Sequence, residues 1–562
     1  MNADTPVLDP VSLQVLWNGL RSVTDECFLA LMRSSFSTNI KERHDHSTAI
    51  VDAGGRLICQ AEQSLPIHLA SMTGLIRALL ERFVGDIRPG DIYMANDPHV
   101  AGGTHLPDIN LAMPVFVDEA LLGFVVNIAH HADVGGAAAG SMSGGLTEIW
   151  QEGVRIPALR LMQEGTLNRD ILDLVLLNMR LPRERMGDLN AQIAACRLGS
   201  ARLGELADRH GLAGLRAAFE DIVSRSARRM RAAIAGIPDG DYAFRDLLDD
   251  DGVETRDIEI VLSVQKRGES IDFDFAGSAP QVAGNVNLTF NAVQSAVFYA
   301  LKALLDPDLP NNQGVLDSVE IHAPEGSILN CRPPAAVALR ANTSQRVVDV
   351  VLGALAGALP DRVVAAANGA NTSAVFAGVD PRSGESYVYL ETLGGGMGAR
   401  ASRDGKDGVQ VHITNTSNLP VEAIEMEYPL RVLEYALVAD SGGAGRQRGG
   451  LGLRRVVAPV DHRCEFSGVG ERFEHRPWGL FGGAPGACGQ LRKRGADGTE
   501  TVLPHKLRSI PVLPGEAVVI QTPGAGGYGA PAERATADRE EDLASGKFSA
   551  GFMGEHYSDD KR

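Results

Sequence analysis

Apolar residues recur at helical spacing over Val11–Ser35, near the start of the chain, and this periodicity predicts an amphipathic helix with one buried face. Two short apolar runs, Ala49–Val51 and Arg56–Cys59, flank an Asp-Ala-Gly-Gly turn signal and predict two short strands. Helical periodicity returns over Leu65–Val84, and Asn168–Ile237 is predicted to be mostly helical. The first part of the chain therefore combines helices with short strands.

Two longer apolar runs, Ile109–Val117 and Leu121–Ala129, predict a central β-hairpin. Each run has the length of a strand, and the Asp-Glu-Ala sequence between them, centred near Glu119, is predicted to form the turn. A hairpin folds the chain back on itself, so the outer ends of its strands lie about 4.8 Å apart. Polar residues just outside the two runs are therefore brought together.

The outer ends of this hairpin carry a candidate metal site. Asp108 precedes the first run and lies opposite His130 or His131, and the spacing alone does not choose between them. His105 adds a second imidazole from the loop that enters the first strand. A His, Asp, His cluster suits Zn²⁺, Mn²⁺ or Fe²⁺. The alternative is that these are ordinary turn and strand-end residues.

Other polar residues could complete such a site or transfer protons. In the triplet His44-Asp45-His46, Asp45 faces away from both histidines if the chain is extended, because consecutive side chains then point to opposite sides. A glycine-rich loop after the hairpin leads to Glu148 and Glu152, which are candidate proton-transfer carboxylates. The alternative for that loop is a flexible connection.

Beyond Ile237 the composition shifts. Asp257–Val264 and Ser270–Phe275 alternate as strands do, whereas Phe290–Leu305 and Ser344–Leu359 show helical periodicity. Three consecutive aspartates at 249–251 predict a solvated loop. From 387 to 528 the pattern is short strands and Gly/Pro turns, which is typical of an all-β region.

These patterns predict an α+β class, a multi-domain mixed fold with a metal-bearing N-terminal α/β region and a β-rich C-terminal half. The predicted domains are 1–237 (catalytic region with the hairpin), 238–386 (α/β middle region), 387–530 (β-rich region) and 531–562 (charged, partly helical tail). A chain of 562 residues exceeds what one hydrophobic core usually supports, which agrees with several domains.

Composition narrows the classes of partner and compartment. A net charge of −18 argues against nucleic acid or an anionic membrane surface as a partner. No apolar run is long enough to span a membrane, and Met1–Pro10 lacks the features of a secretory signal. The six cysteines are scattered, so a reduced, cytoplasmic location is expected. No Walker A loop, Rossmann fingerprint or G-x-S-x-G elbow is present.

Several segments resemble one family. They are KERHDHSTAIVDAGGRL, ANDPHVAGGTHLPDI, AHHADVGGAAAGSMSG, TEIWQEGVRIP, GNVNLTFNAV, NLPVEAIEMEYPLRV and TPGAGGYG. All are similar to the hydantoinase B family, which comprises N-methylhydantoinase B subunits, the C-terminal half of 5-oxoprolinase, a caprolactamase subunit, and the large subunits of acetone and acetophenone carboxylases. The resemblance covers nearly the whole chain.

This resemblance implies a two-subunit enzyme that holds a divalent metal. A hydantoinase A-type ATPase partner uses ATP to phosphorylate the substrate, and the B subunit then hydrolyses the activated cyclic amide or carboxylates the activated ketone. The implied metal ligands are Asp45, His105, Asp108 and His130. The resemblance thus selects His130 over His131.

Two further expectations concern the neighbourhood of these ligands. Histidines flank Asp45, which departs from the family's expected pattern, so His44 or His46 is an alternative ligand. The candidates for orienting the site or transferring protons are His131, Asp133 and Glu148.

The leading functional hypothesis is ATP-dependent opening of a cyclic amide, such as a hydantoin or 5-oxoproline, by this chain in a hetero-oligomer. The rival is ketone carboxylation, but the carboxylase large subunits tend to be longer and work with a further small subunit. A third hypothesis is a non-catalytic scaffold that stabilises the ATPase. Retention of every implied ligand argues against the scaffold.

Overall fold

The computed structural model describes residues 9–558. Residues 1–8, most of the segment inspected for a secretory signal, and residues 559–562, the end of the predicted tail, lie outside the described part. The helices are α1 (Pro10–Ser34), α2 (Thr38–Lys41), α3 (Leu69–Arg82), α4 (Arg169–Leu177), α5 (Pro182–Ala235), α6 (Phe290–Leu305), α7 (Gln313–Leu316), α8 (Arg340–Leu355), α9 (Val421–Glu427), α10 (Thr536–Ala544) and α11 (Ala550–His556). Short 3₁₀ turns cover Pro66–His68, Ile149–Gln151 and Pro531–Glu533.

The strands form four sheets. They are β1 (His46–Asp52), β2 (Leu57–Gln60), β3 (Ile92–Ala95), β4 (Asp108–Val117), β5 (Ala120–His130), β6 (Leu159–Gln163), β7 (Thr166–Leu167), β8 (Gly240–Asp250), β9 (Arg256–Arg267), β10 (Ser270–Asp274), β11 (Glu320–His322), β12 (Ser373–Val379), β13 (Ser386–Thr392), β14 (Leu430–Leu437), β15 (Leu453–Pro459), β16 (Cys464–Val469), β17 (Gln490–Arg494), β18 (Glu500–Val502), β19 (Lys506–Val512) and β20 (Ala517–Gln521). The predicted mixed α+β fold is confirmed, whereas the domain boundaries stay a prediction.

The N-terminal sheet has the strand order β2-β1-β5-β4-β3-β6-β7, with every neighbouring pair antiparallel. The central hairpin is confirmed, because β4 pairs with β5 and Asp108 lies opposite His130. Asp118 and Glu119 occupy the turn with φ angles of 48° and 64°. Left-handed conformation at both residues is typical of a type I′ turn, whose twist matches that of the strands it joins.

Helices cover both faces of this sheet. On one face, α1 and α5 pack against Ile50 and Val125. On the other face, α3, α6 and α8 join the large core that contains Val51, Phe124 and Val126. Neighbouring residues of one strand thus enter different cores, as the two-residue period of a strand requires. The predicted amphipathic helix at the N-terminus is confirmed as α1.

The sheet β11-β10-β9-β8 packs against α6 and α8 in the same large core. The remaining two sheets, β13-β12-β16-β19 and β14-β15-β20-β17-β18, pack together around a further apolar cluster that includes Phe376, Phe466 and Ile520. Helix α8 is buried at every residue except Gly353, although its sequence begins Arg-Ala-Asn-Thr-Ser-Gln-Arg. A polar helix in the core needs partners for its side chains, and those partners build the sites described below.

The prediction that the aspartates at 249–251 form a solvated loop is wrong. Asp249 is the last but one residue of strand β8 and is buried, and its carboxylate accepts the main-chain N–H groups of Phe473 and His475 at 2.7 and 2.9 Å. Asp251 is also buried and accepts three consecutive N–H groups, from residues 253 to 255. Main-chain donors satisfy these carboxylates, which explains why charge alone does not place them in solvent.

None of the helices within residues 9–558 combines the length and the apolar composition that crossing a membrane requires.

The loop that leads to His105 is held to α3 by a contact between two glycines. A Cβ atom built on Gly102, whose φ is +72°, would lie 2.4 Å from Cα of Gly74. We expect Gly102→Ala to lower the free energy of unfolding by about 2–4 kcal/mol, since a left-handed alanine and backbone overlap add together. Chemical denaturation of the full chain measures this loss.

Gly85→Ala is the matched control, because Gly85 has a φ of +70° but no atom within 4 Å of the added Cβ. Only the conformational cost applies there, about 1–2 kcal/mol. Equal losses for the two variants would contradict the proposed close packing of the loop on α3.

Candidate metal centre

Three side chains meet at the outer end of the hairpin: His105, Asp108 and His130. One ligand atom from each, a histidine nitrogen or a carboxylate oxygen, lies within 4.8 Å of the other two, and all three residues are buried. Asp108 begins β4 and His130 ends β5, so strand register brings them together. His105 comes from the loop just before β4. The structure thus brings together three of the four ligands that the sequence predicts.

The two oxygens of Asp108 have different environments. Oδ2 accepts hydrogen bonds from the Arg340 guanidinium and from Oγ1 of Thr104, the latter at 3.2 Å. Oδ1 has no hydrogen-bond partner and is buried. Although burial raises the pKa of Asp108, the Arg340 guanidinium on Oδ2 helps to hold that pKa well below its usual value. The carboxylate is therefore ionised, with one oxygen fixed and the other available.

His105 faces that available oxygen. Its Nδ1 lies 3.1 Å from the carbonyl oxygen of Ala338, to which it donates in the neutral ring, so Nε2 carries a lone pair. This Nε2 lies 3.2 Å from Oδ1 of Asp108 and also has no hydrogen-bond partner. Burial and the charge of Arg340 lower the pKa of His105, which disfavours a proton between the two atoms. Two buried acceptors therefore point at each other.

His130 is oriented from its other side. The side-chain amide of Asn39 contacts Nδ1 of His130 at 2.9 Å and donates to the His130 main-chain oxygen at 2.7 Å. The oxygen of Asn39 in turn accepts from the Arg43 guanidinium. Because the amide nitrogen of Asn39 can only donate, Nδ1 of His130 accepts and the neutral ring carries its proton on Nε2. Nε2 can therefore bind a metal only if the Asn39 amide turns so that its oxygen accepts from Nδ1. Burial lowers the pKa of His130 well below its usual value, so the ring is neutral.

This donor set fits a divalent metal. Neutral imidazoles and a carboxylate in a dry interior are ligands of Zn²⁺, Mn²⁺ and Fe²⁺. Each buried polar atom without a partner costs about 1–3 kcal/mol. A cation between Nε2 of His105 and Oδ1 of Asp108 would satisfy both atoms, and no described donor does so.

Asp45 and its flanking histidines lie beside this cluster. The main-chain oxygen of Asp45 accepts the N–H of His130 at 3.0 Å, but the Asp45 carboxylate is not among the three ligand groups within 4.8 Å. Burial raises the pKa of Asp45, while Arg43 and His68 act in the opposite direction. His46 stacks on Phe28, and burial lowers its pKa to about 3.

None of the three predicted catalytic residues belongs to the cluster of three ligand groups. Nε2 of His131 contacts the side-chain oxygen of Gln192 at 3.0 Å, and burial lowers the pKa of His131 to about 4. Asp133 accepts N–H groups from the glycine-rich loop and forms an ion pair with Arg180 at 2.9 Å. Glu148 is exposed at the start of the 3₁₀ turn 149–151. These placements give His131 and Asp133 structural contacts at the end of the hairpin.

Glu152, four residues further on, is buried and supports His105 indirectly. Its Oε1 accepts the main-chain N–H groups of Val337 and Ala338 at 2.8 and 2.7 Å, and the Ala338 carbonyl contacts His105. Burial raises the pKa of Glu152 to about 8, even though the two N–H groups favour the ionised form. The sequence alone did not predict that Glu152 is buried whereas Glu148 is exposed.

Sequence analysis missed two participants, Arg340 and His68. Arg340 lies in the first turn of α8, four residues before the predicted start of that helix. His68 ends the 3₁₀ turn before α3, with Nδ1 2.9 Å from Oγ of Ser47 and Nε2 3.7 Å from Oδ2 of Asp108. A lone histidine among apolar residues was the one available signal for His68, and nothing near Arg340 in sequence points to Asp108.

The raised pKa of Glu152 predicts how the free energy of unfolding depends on pH. Because the folded-state pKa is above the ordinary value of 4.5, the folded chain retains a proton that the unfolded chain loses between pH 4.5 and about 8. Stability should therefore fall as pH rises through this window. We expect Glu152→Gln to remove this decline, which amounts to roughly 2–4 kcal/mol between pH 5.5 and 8.5. Denaturant unfolding of both proteins across that range measures the difference.

Glu148→Gln serves as the control, since Glu148 is exposed, and we expect it to follow the wild-type pH profile. A Glu152→Gln profile parallel to the wild type would contradict the assignment of the decline to Glu152.

Comparisons with known proteins identify the family of the chain. The family model described as Hydantoinase B/oxoprolinase matches residues 9–531. The chain is 34% identical to a putative D-/L-hydantoinase B subunit from Pseudomonas sp. (strain NS671), over 95% of this chain and 92% of the relative. The crystal structure of the ATP-dependent caprolactamase from Pseudomonas jessenii superposes with a TM-score of 0.91 at 30% identity, covering 99% of this chain and 98% of that chain.

A nucleotide-free structure of acetone carboxylase also superposes, with a TM-score of 0.90, over 98% of this chain and 79% of that chain. At 20% identity this likeness shows the fold alone. The match along almost the whole chain leads to one conclusion: this protein belongs to the hydantoinase B/oxoprolinase family.

Proposed function

We propose that this chain is the hydrolytic B subunit of an ATP-dependent cyclic-amide hydrolase, and that it acts with one divalent metal. The observation that carries the proposal is the pair of buried acceptors, Nε2 of His105 and Oδ1 of Asp108, 3.2 Å apart without hydrogen-bond partners. A cation is the simplest partner for both. Relatives named for hydantoinase and caprolactamase activity support cyclic amides as the substrate class.

In this proposal His105, Asp108 and His130 hold one Zn²⁺, Mn²⁺ or Fe²⁺ ion, and Asp45 provides the fourth ligand. A second carboxylate is needed because the Arg340 guanidinium already offsets the charge of Asp108. When bound, the ion supplies Lewis-acid polarisation of the amide carbonyl and lowers the pKa of the attacking water.

The neighbouring residues hold these ligands in place. Arg340 and Thr104 fix the Oδ2 side of Asp108, so its Oδ1 keeps one direction. Glu152 fixes the Ala338 carbonyl and thereby the tautomer of His105. His131 and Asp133 would orient the end of the hairpin. Of the predicted catalytic residues, Glu148 remains the proposed proton-transfer group because it is exposed.

A hydantoinase A-type ATPase completes the proposal. The sequence contains no recognisable nucleotide motif, so ATP would be used by a separate chain, which phosphorylates the cyclic amide. Relatives are named as the B subunit of a hydantoinase and the β subunit of a caprolactamase, which supports a hetero-oligomer. This chain would then perform the second half-reaction, the hydrolysis of the activated amide.

Ketone carboxylation is the second candidate, favoured by the structural likeness to acetone carboxylase. That likeness extends to the fold alone, and 21% of the acetone carboxylase chain has no counterpart here, since the match covers 79% of it. Hydrolysis is therefore placed first. A non-catalytic scaffold has no use for a buried set of unpartnered ligand atoms.

The first test concerns the metal. We expect the purified full chain to contain about one divalent ion, measured by elemental analysis without chelators. His130→Ala should weaken binding by more than about 100-fold, because loss of a ligand exceeds the 10–100-fold typical of residues that only support ligands. Asp45→Asn should weaken it as well, by at least about 10-fold.

His131→Gln is the matched control, as His131 is adjacent to His130 but contacts Gln192 and lies outside the cluster. Because His131 would only orient the end of the hairpin, this variant should weaken metal binding far less than His130→Ala, by about 10-fold. Full occupancy in His130→Ala, or equal loss in both variants, would refute the proposed ligand set.

A second test separates the two half-reactions. In the complex of His105→Ala with the wild-type ATPase partner, we expect ring-opened product to fall by roughly 100-fold or more, since Lewis-acid assistance is lost. ATP turnover in the presence of substrate should fall much less, because phosphorylation occurs on the other chain. Product and ADP are measured in the same samples.

Isotopes distinguish hydrolysis from carboxylation in the wild-type complex. Oxygen-18 from labelled water should enter the new carboxylate of the product. Carbon-13 from labelled bicarbonate retained in the product would instead identify a carboxylase. ATP turnover by the isolated chain would reveal a nucleotide site that the sequence conceals.

A further inference from the structure

A cavity that contains none of the candidate metal ligands lies between α6 and the loop that contains His412. Its volume is about 590 Å³, within the range of roughly 300–1,000 Å³ typical of small-molecule sites. None of the three clustered ligands lines it. The two sites share one wall, because Pro66 and Leu69 line the cavity while His68 between them lies 3.7 Å from Asp108.

Three cationic side chains line this cavity without a carboxylate partner in the described part of the chain. Lys302 donates to the side-chain oxygen of Asn311 at 2.9 Å. Arg362 donates to two main-chain oxygens at the end of α6. Nε of Arg400 is buried and has no hydrogen-bond partner among the described residues. Most arginines elsewhere in the structure contact a carboxylate, so this set is unusual.

The charge of the cavity is positive although that of the chain is −18. Glu62 is the one carboxylate in the lining, and it forms an exposed ion pair with Arg21 at 2.9 Å. Outside the lining, Asp306 and Asp308 also act on Lys302, and Asp306 is paired with Arg229. The rest of the wall is largely apolar and includes Phe298, Met397 and Val411. An anionic group would be held by the cations, and a carbon skeleton by the apolar wall.

His412 adds a fixed polar group to the same wall. Its Nε2 lies 3.0 Å from Oδ1 of Asp349, and the other oxygen of Asp349 accepts from Arg472 at 2.7 Å. The ring of Tyr299 packs edge-on against it. His412 also has a φ of +53°, an uncommon conformation for a residue other than glycine. The ring is therefore fixed through Nε2, and Nδ1 is the nitrogen available to a ligand.

We propose that this cavity binds a small organic anion, a carboxylate or phosphoryl group on an apolar body, with Arg400 and Lys302 at the anionic group and His412 at a second polar group. The site uses none of the residues assigned to the metal, so it stands independently of the proposed hydrolysis.

Helix α8 connects the two sites. Arg340, in its first turn, holds Asp108, and Asp349, nine positions later, holds His412. At 1.5 Å per residue these positions are about 13 Å apart along the helix. Gln345, between them, donates to the main-chain oxygen of Val411 at 3.0 Å. A ligand in the cavity would thus lie one helix segment away from the metal centre.

Calorimetric titration of the full chain tests the site with three probes: phenyl phosphate, benzoate and neutral benzamide. We expect one or both anions to bind and benzamide to bind at least ten times more weakly. Arg400→Gln should weaken anion binding by about 10- to 100-fold, the effect of losing a charge-assisted hydrogen bond. Tighter binding of phenyl phosphate would identify a phosphoryl ligand, and tighter binding of benzoate a carboxylate.

Arg403→Gln is the matched control, because Arg403 is exposed in the same turn and does not line the cavity. It should leave the affinity within about two-fold. If Arg400→Gln lowers the melting temperature, Lys302→Met replaces it with the same expected loss. Absence of anion binding, equal binding of benzamide, an undiminished affinity in the Arg400 variant or its replacement, or an equal loss in Arg403→Gln would overturn the proposal.

Metal removal distinguishes this site from the metal centre. Anion binding should persist after chelation and in His105→Ala, because the cavity contains no metal ligand. Loss of binding under those conditions would place the anion on the metal and overturn the separate site, whereas loss of metal-dependent activity alone would leave it intact.

Discussion

The ionised carboxylate of Asp108 in the interior is the constraint on which the rest of the site depends. An isolated buried charge is costly, so it must be paired or coordinated. One oxygen is paired with Arg340 and Thr104, and this pairing holds the pKa of Asp108 low despite burial. The other oxygen lies 3.2 Å from Nε2 of His105, and neither atom has a hydrogen-bond partner. Protein donors thus satisfy one oxygen of this carboxylate, and the other oxygen is where the proposed cation would bind.

Arg340 introduces a second constraint, because it belongs to a helix in the middle of the core. A buried polar helix costs free energy unless each side chain finds a partner. The side chains of α8 find their partners in distant segments of the chain. Arg340 binds Asp108, Gln345 binds the 411–414 loop, and Asp349 binds His412. The same contacts fix the walls of both the candidate metal centre and the proposed anion cavity. The polarity of α8 is therefore explained by the sites it builds.

The sequence pattern was sufficient to predict the central hairpin, because the strands and the turn are determined by neighbouring residues. The hairpin follows from two apolar runs and a short turn, and its register brings Asp108 and His130 together. Spacing alone did not choose between His130 and His131, since a shift of one residue exchanges the faces of a strand. The family resemblance supplied that choice, and the register agrees with it.

Hydrogen-bond and ion-pair partners that are far apart in the sequence could not be predicted from its local patterns. Arg340 lies 232 residues from Asp108, and its polar surroundings favoured a later start for α8. The aspartates at 249–251 were expected in solvent because of their charge. The main-chain N–H groups of residues 473 and 475, which satisfy the Asp249 carboxylate in the interior, are far away in the sequence. Glu148 and Glu152 were equivalent by composition, yet one is exposed and the other buried. In each case the deciding contact comes from a segment that sequence periodicity does not relate to the residue.

These long-range contacts have a consequence for how the metal centre forms. The hairpin alone supplies Asp108 and His130, but the free direction of Asp108 depends on Arg340, and the tautomer of His105 depends on Ala338. Both supports come from the start of α8 and the residues before it, which pack in the large core together with the middle of the chain. Metal binding would therefore be coupled to folding of the middle of the chain onto the N-terminal sheet. A fragment that ends after the hairpin would keep two of the three clustered side chains in register and lose the contacts that direct their ligand atoms.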